Sequence, residues 1–396
     1  RISESLADDE KSPLRERLDV LAKQLSVIGY IASAVIALAF LWMAAAGCNI
    51  WSGYGPEDGM SELSISVSVS NTPAMPTKVT INSNDYIGAL NDGEKIQTLR
   101  IVIVREIGVI EHNRYLDFYG DIERAYTEVN NIIFKVYGPE KKEVYLFVNE
   151  NTLQTALSGG TKKLVEYDFD VLTPGSVFPE DEISSLLVTM NQNDEEVPLA
   201  LPMSEHHTIM MPANDYHTDL YVTRASTKFT YIFDNQSNVD LALEGLTISK
   251  SSRKEYYMPR ITYTADPLIN TEYSVSDYEV PNVENNEYYV FQKTYQDVSI
   301  PAKTITSTLA DGSPINLYLL EGKYTDAASA GKNYSMSVTL NGTVYSSYFP
   351  ELPQLPRNTH VVVLISFKDY GTHVDVQWTV DVCPYEEVWL EPGFGQ

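Results

Sequence analysis

The chain has 396 residues, with 54 acidic against 28 basic side chains and a formal charge of -26 at pH 7. Such acidity excludes nucleic acid and polybasic membrane docking and is read as solubility and mutual repulsion at a crowded surface. Its two cysteines, Cys48 and Cys383, give no internal disulfide framework, so stability must come from hydrophobic cores and sheet pairing.

Residues 1–26 mix acid and base, are long for the front of a signal peptide, and are left out of fold reasoning. Residues 27–48, VIGYIASAVIALAFLWMAAAGC, follow Lys23 as an uncharged apolar run ending in small residues. A basic flank, an apolar middle and a small-residue end mark a secretory signal. Ala45-Ala46-Gly47 before Cys48 resembles a bacterial lipobox, where the signal is cut ahead of the cysteine and the thiol takes a diacylglycerol. A plain transmembrane helix is the alternative, since the run is long enough to span a bilayer. Residues 1–47 are therefore read as upstream segment and signal, and 48–61, rich in glycine, as a tether.

Residues 62–70, ELSISVSVS, carry the cleanest strand signal in the chain. Leu63, Ile65, Val67 and Val69 alternate with four serines, apolar on one face and hydroxyl on the other. A long polar stretch, 71–97, follows; a loop of that length is usually functional or mobile. Strands are expected at 99–104, 132–137 and 142–149, the last two joined by a Gly138-Pro139 turn. Short helical patterns are expected around 153–156 and 183–189, and PLALPM closes this unit at residue 203.

The second unit repeats the style, with strands at 220–223, 229–234, 241–249, 317–321, 334–340, 361–367 and 374–382. Asn341-Gly342 reads as a hairpin turn. Residues 255–295, rich in Tyr and Asn, have weak periodicity and read as surface excursions. In the last strand Val374, Val376, Trp378, Val380 and Val382 share a face, and Pro384 ends the ladder. Cys383 is read as a buried free thiol, with an intermolecular bridge as the alternative. The fold class is mainly β, as two tandem sandwiches: 62–203, then 204–383, with 384–396 as a tail.

Little in the chain carries chemistry. Gly159-Gly160-Thr161-Lys162 lacks the spacing of a phosphate loop, and neither a nucleophile elbow nor H-E-x-x-H occurs. Glu205-His206-His207 with Asp215 and His217 is the nearest approach to a metal set, but adjacent histidines on a strand face opposite ways. The pairs Asp181-Glu182 and Glu195-Glu196 read as solvated faces. No catalytic residue, metal or cofactor is therefore expected. A carbohydrate-binding surface lipoprotein, stacking sugars on exposed Tyr and Trp, is a second reading.

Several short stretches, taken in order behind the lipobox, resemble the Bacteroidales fimbrillin family, the subunits of type V pili. They are Leu201-Pro202-Met203, Arg224-Ala225-Ser226-Thr227-Lys228-Phe229, Pro356-Arg357-Asn358-Thr359-His360, Trp378-Thr379-Val380 with Pro384-Tyr385, and Pro392-Gly393-Phe394-Gly395. The resemblance implies two transthyretin-like β-sandwiches, no enzymatic activity, and delivery to the outer membrane and cell surface as a lipoprotein acylated on Cys48. It also implies other fimbrial subunits as partners, and cutting by an Arg-specific protease in the loop after the first strand. The groove so vacated takes a strand from a neighbour's C-terminus. On this chain the exchangeable strand is that of Leu63, Ile65, Val67 and Val69. The donor tail holds Tyr385, Val388, Trp389, Leu390 and Phe394. One departure stands out: residues 71–97 contain no Arg, only Lys78 and Lys95. Either a different protease cuts, with Lys78 the candidate, or the subunit keeps its strand and lipid, as the family's anchor subunits do.

Overall fold

The computed structural model describes residues 59–70, 90–122, 124–156, 158–190, 196–265, 273–278, 289–320, 322–323, 335–348, 354–355, 357–371 and 374–383. The chain divides into Arg1–Met60 and Ser61–Gln396, and all described residues but 59 and 60 belong to the second unit. Cys48, Lys78 and the tail residues Tyr385, Val388, Trp389, Leu390 and Phe394 lie outside the described residues.

The fold is mainly β; among the described residues the α-helices are two short ones, Tyr119–Ile122 and Glu180–Ser184. Seven strands form the first sheet: β1 (Met60–Val69), β2 (Thr98–Arg105), β3 (Ile110–Asp117), β4 (Glu128–Tyr137), β5 (Glu140–Val148), β6 (Met203–Met211) and β7 (Tyr216–Arg224). Their order is β3-β2-β5-β6-β7-β1-β4. The two end strands meet through side chains: Arg114 donates to the Ile133 carbonyl at 3.4 Å, and His112 Nε2 lies 2.7 Å from the Lys135 carbonyl. The sheet thus curls toward itself. Segment 149–190 covers its outer face, where Phe169 packs on Phe147 and Phe178 on Tyr145, so β2 and β5 are buried on both sides.

The second core lies between two sheets. One holds β8 (Ser226–Asn235), β11 (Thr304–Thr306), β12 (Asn316–Leu320), β15 (Thr359–Asp369) and β16 (Val374–Cys383), with β8 pairing β11, β12 and β15. The other has the order β10-β9-β13-β14, from Leu241–Ser251 (β9), Tyr289–Ile300 (β10), Ser335–Leu340 (β13) and Thr343–Tyr348 (β14). Alternate residues meet between them: Phe229, Tyr231 and Phe233 from β8, Val361, Val363 and Ile365 from β15, and Met336, Val338 and Leu340 from β13. Asn341 (φ 49°) and Gly342 (φ 73°) both take the left-handed conformation that a tight hairpin between β13 and β14 requires. Strand β12 stands between the two cores, with Leu317 and Leu319 in the second and Tyr318 and Leu320 in the first.

Several expectations need correction. The first sheet does not end at residue 203: β6 and β7 belong to it, pairing β5 and β1, and the chain crosses to the second core between Arg224 and Ser226. Leu153–Thr155 is a strand paired with Thr161–Lys163, not helical, because Gly159 and Gly160 at positive φ turn the chain back. Helix Glu180–Ser184 overlaps only the start of the second expected helical stretch, and Leu187–Thr189 pairs Lys254–Tyr256 as a strand. Residues 289–295, the end of the stretch read as surface excursion, belong to a twelve-residue strand, Tyr289–Ile300, along β9.

Candidate functional site

The four apolar residues of β1 are sealed: Leu63, Ile65 and Val67 are 0% exposed and Val69 6%. Period-two alternation puts all four on the face turned to the first core, as expected from sequence. The strand does not lie at a sheet edge. It fills a slot between β7 and β4, running parallel to β7 in a register from Leu63 opposite Tyr216 to Val69 opposite Val222. On the opposite face Ser66 is buried, while Ser64 and Ser68 are half-buried; there Ser64 Oγ lies 3.2 Å from His217 Nδ1 and Ser68 Oγ donates to the Leu220 carbonyl at 3.4 Å.

The two ends of the slot differ in chemistry. At the start, Glu62 N donates to Asp215 Oδ1 and Ser61 Oγ to the Ala213 carbonyl, each at 2.9 Å and exposed. At the far end Val69 N donates to the Thr127 carbonyl at 2.9 Å and Ser70 N to the Val222 carbonyl at 2.8 Å. There the Ser70 carbonyl accepts from Asn358 Nδ2 at 2.9 Å and from Arg224 Nη1 at 3.3 Å. Arg224 is 0% exposed and Asn358 2%. Asn358 immediately precedes β15 of the second core, so the end of β1 touches both cores.

The described chain that resumes at residue 90 is fastened to the same place. Glu94 ends a single 3-10 turn, and its carboxylate accepts from the Asn91 amide at 2.9 Å in a capping box. Its other oxygen takes Lys228 Nζ at 2.8 Å, both groups being buried, and its carbonyl accepts Arg224 Nε at 3.0 Å. Leu201 N donates to the Gly93 carbonyl, and Ala225 N to that of Pro202. The stretches at Leu201, Arg224 and Arg357, far apart in sequence, therefore converge on one junction. Their joint position is a residue-level feature that sequence reasoning missed.

Nearby, Arg357 lies beside Glu255, both buried, and donates to the Tyr257 carbonyl. Burial pushes the Glu205 carboxyl up to about 7, against weaker opposing effects of the His206 amide, Arg357 and the Thr223 hydroxyl. Arg100, the nearest arginine after loop 71–97, is inside β2 and buried. Its guanidinium meets Glu150 at 2.8 Å, Asp170 at 2.8 Å and Asn113 at 2.9 Å. A protease, which needs an exposed extended segment, has no purchase there.

The histidines do not converge. His206 stacks on Tyr145 and meets Glu143 at 2.8 Å, while His207 reaches the Tyr221 carbonyl and His217 pairs with Asp219. Among the described residues no group of three or more His, Cys, Asp or Glu is placed to hold a metal ion. Among the same residues no helix is long and apolar enough to cross a membrane; residues 27–48 lie outside them.

The fold and slot define a mainly β chain with one apolar strand inserted between two sequence-distant neighbours. No protein-family model matches the chain, and no curated protein matches it. Solved structures similar to it, at low sequence identity, are described as fimbrial and cell-adhesion proteins. The tip fimbrial protein Mfa3 of Porphyromonas gingivalis, truncated at its C-terminus, has a TM-score of 0.46 at 9% identity, over 82% of this chain and 99% of that one. A proposed cell adhesion protein of Parabacteroides distasonis gives 0.45 at 14%, over 82% and 97%. A fimbrial assembly protein of the same organism gives 0.40 at 11%, over 81% and 99%.

Proposed function

We propose that this chain is a structural subunit of a cell-surface fimbria, exported as a lipoprotein on Cys48 and assembled by strand exchange with other subunits. It has no catalytic role in this reading and supports adhesion or biofilm formation; a host or bacterial surface ligand would be an additional partner. The observation that carries the proposal is the slot between β7 and β4, filled by a strand of four buried aliphatic side chains that neither neighbour adjoins in sequence. Four buried side chains hold β1 in place, a gross gain of about 6–12 kcal/mol at 1.5–3 each. If the strand leaves, β7 and β4 each expose an unpaired edge above an apolar trough, an arrangement suited to β-strand addition. The tail with Val388 and Leu390, flanked by Tyr385, Trp389 and Phe394, is the donor.

A membrane-retained anchor is the second reading. The lack of Arg in 71–97 and the burial of Arg100 favour it, because both deny an Arg-specific protease its cut after β1. Deleting residues 385–396 tests the donor role. The expected product is a folded, exported monomer that no longer polymerises, and filaments of normal length from that deletion would rule the donor tail out.

A further inference from the structure

The apolar pattern of β1 does not by itself fix where the strand sits along its slot. A slip of one residue turns every side chain to the wrong face, but a slip of two returns them to the right one. With Leu63, Ile65, Val67 and Val69 in a row, a two-residue slip still buries three branched aliphatic side chains. The hydrogen bonds at the N-terminal end are exposed and discriminate weakly. The C-terminal end adds a requirement of reach rather than of register, because two buried donors aim at one backbone carbonyl, that of Ser70.

We infer that Arg224 and Asn358 form a length stop, which recognises the backbone carbonyl one residue beyond the fourth apolar side chain of whatever strand occupies the slot. The inference rests on the strand-exchange reading. The ligand it specifies is an extended peptide, parallel to β7, with four alternating apolar residues and at least one further residue carrying a free carbonyl. The geometry is prearranged. Asn358 is held at φ 52°, its amide N–H donates to the Ser226 carbonyl at 2.9 Å, and its Oδ1 accepts from Arg224 Nη1 at 3.1 Å. Its Nδ2 is thereby turned toward Ser70. A strand that ends short of this point withdraws an acceptor from a buried guanidinium and a buried amide together. Because Asn358 leads into β15, the same contact reports an occupied slot to the second core.

The test uses the full-length chain with a protease site inserted in 71–89, nicked after folding. Two C-terminally amidated peptides, residues 60–70 and residues 60–69, compete for the slot, and native mass spectrometry follows replacement of the resident strand. The longer peptide should win by about ten- to a hundredfold, the loss expected when the buried Arg224 guanidinium and Asn358 amide each lose one acceptor. In Asn358→Gly the preference should shrink; glycine keeps the left-handed backbone and removes only the amide. Equal replacement by both peptides in the unaltered protein would overturn the stop. If neither peptide enters, the strand-exchange reading fails, and the stop is then judged in the un-nicked chain by hydrogen exchange. Asn358→Gly should speed exchange at Val69 and Ser70 while leaving residues 62–64 unchanged, and unaltered protection at Val69 and Ser70 would overturn it.

Discussion

Leu63→Ala is the sharpest probe of the slot. The side chain is fully buried between β7 and β4, so truncation removes its transfer free energy and leaves a cavity the sheet can only partly close. Leu-to-Ala changes at such sites cost about 2–5 kcal/mol. The first consequence is local. β1 is one strand of ten residues, and β4 leans on it for backbone pairing, since its opposite edge meets β3 through side chains such as His112 and Arg114. About 3 kcal/mol corresponds to roughly a hundredfold change in an opening equilibrium. Hydrogen exchange by mass spectrometry should therefore show β1 and β4 exchanging about a hundredfold faster, with β8 and β15 of the second core unchanged. Ser68→Ala, on the opposite face, should shift the same amides little, about 0.5 kcal/mol or less. Unchanged β1 protection in Leu63→Ala, or loosening spread equally over both cores, would refute the idea of a separately removable strand.

Glu205→Gln tests the buried carboxyl beside the junction. Its folded value, about 7, lies above the ordinary carboxylate value, so the folded state keeps a proton that the unfolded chain has released. That contribution to stability is present at low pH and is lost as pH rises through about 4.5 to 7, by about 3 kcal/mol in full. Thermal melts should show Glu205→Gln gaining on the parent between pH 5 and pH 8, and parallel pH profiles would refute it. Lys228→Met leaves the Glu94 carboxylate buried without its ammonium and should cost about 3–5 kcal/mol in urea denaturation. Adding Glu94→Gln should restore part of that loss; an additive double variant would show the pair is not coupled.

Much of the strand content was legible because alternation survives wherever one sheet face is covered and the other wet. β1, β13 and β16 show this in their serines, threonines and aspartates. Val376, Trp378 and Val380 of β16 do pack on the second core, although Val374, expected on the same face, is 41% exposed. β6 was missed because Pro202 reads as a stop and the His206-His207 and Met210-Met211 pairs mask the period. β10 was missed because polar residues are spread along it, with Phe291 and Ile300 buried and Tyr295 and Val298 only partly covered by the second core. The apolar face of β1 was readable, but its place between β7 and β4 was not, since its register partner lies 153 residues along the chain. The junction was hidden for the same reason. Arg224 and Asn358 were visible as parts of short motifs, while their meeting at Ser70 depends on the parallel pairing of β8 with β15.

The most direct measurement is N-terminal sequencing and intact mass of the protein sheared from the cell surface, beside the membrane-retained fraction. A strand-exchanging subunit should appear in sheared polymer with its N-terminus inside residues 71–97, Lys78 being the expected cut, and with β1 gone. Polymer built from chains that still begin at an acylated Cys48 and carry β1 would contradict strand exchange. The same acylated chain confined to the membrane fraction would make the protein an anchor whose slot stays filled.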